Sequence, residues 1–169
     1  MSGDKAYKYT SYAQIEGGDR LDTWIEWSMT VSLIILFIIV SVTDIRHRII
    51  PNWATLGFGI VFVGLRIAMP SDPWWDAYLA MVITYVGLAL VSIWSRGALG
   101  GGDVKLLAIV ALLLGTSQIM NAIVLSCTAA IIYAIWRRIA QKKPVNEELP
   151  FGPFIAIGVL ITWSTILLT

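Results

Sequence analysis

Asp44 and Asp103 are the side chains of this sequence best placed to do chemistry. Asp44 closes an apolar run that begins near Trp24, and Asp103 opens another that begins at Val104. An ionisable group at the margin of so apolar a segment is costly and marks a functional candidate. Two carboxylates on one side of a helix bundle suit the hydrolysis of an amide bond. The ionised member takes a proton from water, and the protonated member donates to the carbonyl oxygen or the leaving amine. Neighbouring like charges resist ionising together, so such a pair can hold both forms at once. Each residue also has a plainer reading: Asp44 as the counter-charge of Arg46 or Arg48, and Asp103 as a helix cap.

Gly100, Gly101 and Gly102 lead directly into Asp103. Glycine weakens a helix interior by roughly 1 kcal/mol relative to alanine. It also leaves bare backbone that a second chain can approach closely. An extended peptide lying against this run is the expected substrate contact, and a plain turn is the alternative. Other hydrolytic sets are poorly supplied. The one cysteine, Cys127, lies in an apolar run and is expected to fill core as a small hydrophobe. The one histidine, His47, lies between Arg46 and Arg48 and is expected at a solvated basic margin. Zinc would need further nitrogen or sulfur ligands, so neither a metal nor a cofactor is expected. Lys105 reads as a partner of Asp103, a ligand for a substrate carboxylate, or a snorkelling lysine, and Arg66 as another snorkelling side chain.

The elements that must position these residues are transmembrane helices. The chain has 169 residues, 57% of them hydrophobic and 14% charged, whereas soluble domains carry roughly 25% charged residues. Apolar runs close to the roughly 20 residues that cross a bilayer recur along its length. They are continuous rather than alternating, which argues against a β-barrel. The expected fold is all-α and polytopic, with about six transmembrane helices. A polar segment, residues 1–22, precedes a membrane domain over residues 23–169. The segment's mixed charge does not resemble a signal peptide, so the first run reads as a true span.

Span one is expected over Trp24–Thr43, span two over Asn52–Met69 after Pro51, and span three over Asp76–Ser95. Pro70–Pro73 reads as a turn, and Trp74, Trp75 and Tyr78 as an interfacial anchor. Span four is short, Val104–Gly115. Span five covers Ser117–Trp136, and span six follows Pro153 and ends near Leu168. Gly57, Gly59 and Gly64 are expected to allow close packing of span two.

The loops after spans one, three and five, with the start of span four, hold Arg46, Arg48, Arg96, Lys105, Arg137, Arg138, Lys142 and Lys143. The other side holds only Lys5, Lys8, Arg20 and Arg66. The richer side should be cytoplasmic, which places both aspartates there and both termini outside. The net charge of +1 gives no argument for a nucleic-acid partner.

The stretch Thr43-Asp44-Ile45-Arg46-His47-Arg48-Ile49-Ile50-Pro51-Asn52 resembles the first aspartate motif of the prepilin peptidases. Gly100-Gly101-Gly102-Asp103-Val104-Lys105-Leu106 is similar to their second, Gly-x-Gly-Asp, motif. Pro150-Phe151-Gly152-Pro153-Phe154 resembles a third family segment near the last helix. The resemblance covers about Thr43 to the carboxyl terminus. It implies a membrane aspartyl peptidase whose catalytic pair is Asp44 and Asp103. Its substrate contacts are expected at Gly100, Gly101, Gly102, Lys105, Pro150, Gly152 and Pro153. The implied partners are the lipid bilayer and a prepilin or pseudopilin precursor, cut between a short basic leader and an apolar helix. The implied setting is a prokaryotic plasma (inner) membrane with the site facing the cytoplasm. The compact length is most similar to the small peptidases of tight-adherence (Flp-type) pilus systems. Larger members carry an insertion with paired Cys-x-x-Cys motifs and methylate the new amino terminus. This sequence has no such motifs, so methyl transfer is not expected.

Two other classes remain open. In a small ion- or proton-coupled transporter the aspartates would be ion sites, although both lie at one interface rather than at the midplane. A non-catalytic assembly factor would bind pilin helices without cutting them. Processing, retention or flux on co-expression with a pilin separates the three.

Overall fold

The computed structural model describes the backbone of residues 3–68, 73, 75–95, 99–141 and 150–168, with side chains from residue 23 onward except Gln141. Five helical elements follow in order: α1 (Gly3–His47), α2 (Asn52–Ala68), α3 (Trp75–Trp94), α4 (Gly101–Gln141) and α5 (Gly152–Leu168). Among the described residues there is no strand. The stretches Thr23–His47, Trp75–Trp94 and Gly101–Ala140 are long and apolar enough to cross a membrane, and α2 and α5 are shorter apolar helices. The protein is an all-α membrane protein.

The sequence explains where the helices stop. The first proline is Pro51, and the residue before a proline disfavours helical geometry. The chain leaves α1 through Arg48, which is left-handed (φ 54°). Its N–H reaches the Asp44 carbonyl at 2.9 Å, the left-handed helix cap usually given to glycine. The Pro51 carbonyl then receives the Ala54 and Thr55 N–H groups at 3.1 and 3.3 Å and starts α2. The backbone of α1 runs back through residues expected to form a separate polar segment. The turn expected over Pro70–Pro73 lies, apart from Pro73, outside the described residues, as do Trp74, Arg96 and the loop holding Lys142, Lys143, Glu147 and Glu148.

The long α4 is two helices joined at Gly115, whose φ of 73° and ψ of 176° are not helical. At about 1.5 Å per residue, a continuous helix of this length would far exceed a bilayer core of roughly 30 Å. Both of its ends lie at the same end of the bundle. Asp103, at its start, is within electrostatic reach of Asp44. Tyr133, near its finish, packs on Phe154 with ring centroids 5.3 Å apart, and Phe154 is two residues from the Gly152 that touches Asp44. The chain therefore doubles back at Gly115, as expected from the separate spans four and five.

The break satisfies its own loose backbone groups. Arg66 donates from Nε to the Leu112 carbonyl at 2.8 Å and from Nη2 to the Leu113 carbonyl at 3.0 Å. Asp76 accepts the Thr116 N–H at 3.0 Å and also the Thr116 hydroxyl. A cation thus caps the outgoing helix end and an anion the incoming one, as the helix dipole favours. Arg66 was expected to snorkel; instead it is a tertiary cap.

The two halves of α4 form the centre, with α2, α3 and α5 packed on them and α1 against α2 and α5. Leu33, Leu36 and Val40 of α1 meet Leu106, Val110, Ile155 and Val159 in the core. In lipid, close packing matters more than exclusion of water. Gly158 provides the tightest crossing: a Cβ there would meet the Ser126 hydroxyl and lie 2.6 Å from the Ala122 carbonyl. Of the glycines expected to serve packing, only Gly59 abuts a neighbour, Ile109, while Gly57 and Gly64 face open space. Cys127 is exposed, not core. The outer face of a membrane bundle is as apolar as its interior, so an apolar run does not reveal which side chains point inward.

Candidate active site

The site lies where α1 ends and α4 and α5 begin. Asp44 occupies the last full turn of α1 and is 7% exposed. Its Oδ2 accepts the backbone N–H of Gly152 at 2.7 Å, a short, charge-assisted contact when the carboxylate is ionised. Gly152 is the first residue of α5, whose opening N–H groups have no partner within the helix. The bond thus holds the carboxylate and caps α5 together. Arg46 and Arg48 lie exposed on the surface, so Asp44 is held by α5 rather than by its basic neighbours.

The absence of a side chain at Gly152 makes this contact possible. A Cβ there would lie 2.9 Å from Asp44 Oδ2 and 3.2 Å from both Asp44 Cβ and Val40 Cγ1. Phe151 begins the helix by accepting the Phe154 and Ile155 N–H groups, each at 3.1 Å. Pro153 sits in the first turn, where its missing N–H is not needed. The Pro-Phe-Gly-Pro segment therefore forms a tight helix start whose buried Gly152 abuts Asp44.

Asp103 stands in the first turn of α4, half-buried. The Gly100 N–H donates back to its carboxylate, one arm of a capping box. The expected cap is thus real, and it holds Asp103 within reach of the Asp44 charge. The glycine run is the beginning of the helix rather than a separate turn. Gly102 is packed by Ile50, whose Cβ would lie 2.8 Å from an added methyl, whereas Gly101 is exposed with nothing within 4 Å. Close approach to the Gly102 backbone is therefore made by the protein's own chain, and Gly101 is the part left open.

Lys105 donates to Asn52 Oδ1 at 3.0 Å and joins the start of α4 to that of α2. His47 is exposed, as expected. Among the described residues, no group of three His, Cys, Asp or Glu side chains is arranged to hold a metal. The Gly152–Asp44 bond was not foreseen. The only signal for it was a glycine between two prolines, which called for a tight approach without naming the partner.

These features define a helical membrane protein with two acidic side chains within reach of each other's charge at one end of its bundle. The type IV leader peptidase family matches residues 31–135, which include both aspartates, and the chain belongs to that family. A prepilin leader peptidase/N-methyltransferase of Bacillus subtilis (strain 168) is 31% identical over 146 residues, covering 86% of this chain and 59% of the relative. One from Legionella pneumophila is 32% identical over 142 residues, covering 77% and 48%. A prepilin peptidase, EppA, of Methanothermobacter thermautotrophicus is 36% identical over 95 residues, covering 51% and 25%. The chain thus spans little more than half the length of the first of these relatives and less of the others. No solved structure matches it.

Proposed function

We propose that this protein is an aspartyl endopeptidase of a prokaryotic plasma membrane. It removes the short basic leader from type IV prepilin-like precursors, of the Flp type, on the cytoplasmic side. The observation that supports this reading is the electrostatic proximity of Asp44 and Asp103. Residues from distant parts of the chain come within reach of each other's charge at one end of an apolar bundle.

In the reaction, one carboxylate takes a proton from a water molecule as its oxygen attacks the scissile carbonyl. The other carboxyl group donates its proton to the carbonyl oxygen. As the C–N bond breaks, a proton passes to the leaving amine, which becomes the new amino terminus of the apolar helix. The leader departs with the new carboxylate. Gly152 orients Asp44 through its N–H, and the Gly100 N–H orients Asp103. Exposed Gly101 offers backbone to the extended leader, beside Gly100 and Lys105, while the Pro150–Pro153 turn walls the opposite side.

Co-expression with a leader-bearing precursor tests the reading. A precursor shortened by the wild-type protein and left intact by Asp44→Asn and Asp103→Asn supports it. A precursor that is bound but never shortened points to an assembly factor, and ion flux without processing points to a transporter.

A further inference from the structure

A substrate cut beside the acidic pair needs a place for the apolar helix behind the scissile bond. α2 and α3 both pack on α4 rather than mainly on each other. Between them lies a groove of about 730 Å³. Ile60 and Val63 form one wall, Val82 and Tyr85 the other, and Ala108 and Ile109 the floor. Among the described residues, the only charged one lining it is Lys105, at one end, where it is bonded to Asn52.

That polar end lies at the same end of the bundle as the acidic pair. Lys105 is two residues from Asp103 along α4. Asn52 is two residues beyond Ile50, which packs against Gly102. From Asn52 to Val63 the groove follows α2 for about 16 Å at 1.5 Å per residue, roughly three helical turns. A segment entering it end-on from that end passes a polar threshold and then meets mainly apolar walls. That is the profile of a peptide that changes from polar to apolar just after the cleaved bond. Helix recognition in a groove uses such a preformed apolar trough.

We propose that this α2–α3 groove is the docking site for the amino-terminal turns of the substrate's apolar helix, with Lys105 and Asn52 at its threshold. The proposal rests on the peptidase reading and adds the location of the substrate behind the scissile bond. Ile60 and Val82 are exposed on the groove walls, so tryptophan at either position narrows the groove without entering the core.

The experiment compares two probes: a precursor with a basic leader and an apolar helix of about 20 residues, and a short peptide truncated just after the cleaved bond. Ile60→Trp and Val82→Trp are set beside Ile157→Trp and Ile161→Trp, exposed positions on α5 outside the groove. The groove variants should cut the helix-bearing precursor about tenfold or more slowly, as expected of overpacking a binding site. They should cleave the short peptide at the wild-type rate, and the α5 variants should match wild type on both. A photo-crosslinker at Val82 in the Asp103→Asn protein should capture the precursor, whereas one at Ile157 should not.

Equal slowing of both probes, no slowing of either, or crosslinks at Val82 to lipid alone would each overturn the groove assignment while leaving the peptidase reading intact. Failure of the wild-type protein to cut either probe would remove both.

Discussion

Gly152→Ala should impair cleavage by displacing Asp44, although it leaves both carboxylates in place. The added Cβ would lie 2.9 Å from Asp44 Oδ2, and neither neighbour yields easily. Val40 is fully buried, and Asp44 is fixed on α1. Reaching an ordinary contact of about 3.4 Å requires a shift of about 0.5 Å at the carboxylate or the start of α5. The Gly152–Asp44 bond, now 2.7 Å, would then stretch to about 3.2 Å, the edge of the useful range. A hydrogen bond to a charged group contributes about 1.5–3 kcal/mol. Its loss from the arrangement that reaches the transition state corresponds to about 10- to 150-fold in rate. Initial rates on a leader-bearing precursor, at equal enzyme in the same detergent, give the comparison. Gly87→Ala is the control, since nothing lies within 4 Å of its added methyl. A wild-type rate for Gly152→Ala would refute the idea that this contact positions Asp44 for chemistry.

Further outcomes follow from other contacts. Gly101→Ala meets no neighbour and gains helix propensity, so it should fold normally and raise KM with kcat retained. An unchanged KM would show that no substrate lies on this backbone. Gly115→Ala would strain a residue at φ 73° and bring a methyl to 2.5 Å from Asp76 Oδ2. Thermal unfolding in detergent should show a loss of about 1–3 kcal/mol; unaltered stability would contradict the close approach of Asp76. Single cysteines at Arg46 and Pro73, in a Cys127→Ala background, should label from opposite sides, Arg46 from the cytoplasm. Labelling of Arg46→Cys from outside intact cells would reverse the orientation. Processing should continue in the presence of a chelator, and zinc-restored loss would replace the acid pair with a metal mechanism.

The sequence made the helices legible because apolar runs and prolines act locally. Pro51 separates α1 from α2, and the short run ending at Gly115 revealed the break in α4. Its long-range polar contacts were hidden. Arg66 looked like one more side chain reaching for the interface, since nothing nearby announces a bond to carbonyls some 46 residues away. The same holds for Gly152 and Asp44, 108 residues apart. The two aspartates stood out as acids beside apolar runs, the basic asymmetry put both on one side, and the motif resemblance named them as a pair. Inside and outside could not be told apart at Cys127, Gly57 or Gly64, because lipid and protein interior ask for the same side chains.

The central claim is that Asp44 and Asp103 act as one catalytic unit. It is tested most directly by measuring processing of a leader-bearing precursor by Asp44→Asn, Asp103→Asn and the double variant at equal membrane levels. Asparagine keeps the shape of aspartate, and its amide oxygen can still accept the Gly152 N–H, but it can serve neither as base nor as acid. Each single variant should therefore insert normally and leave the precursor uncut. The double variant should be hardly worse than either, because residues that act as a unit are strongly non-additive. Near-normal processing by either single variant would remove that residue from the reaction and contradict the account.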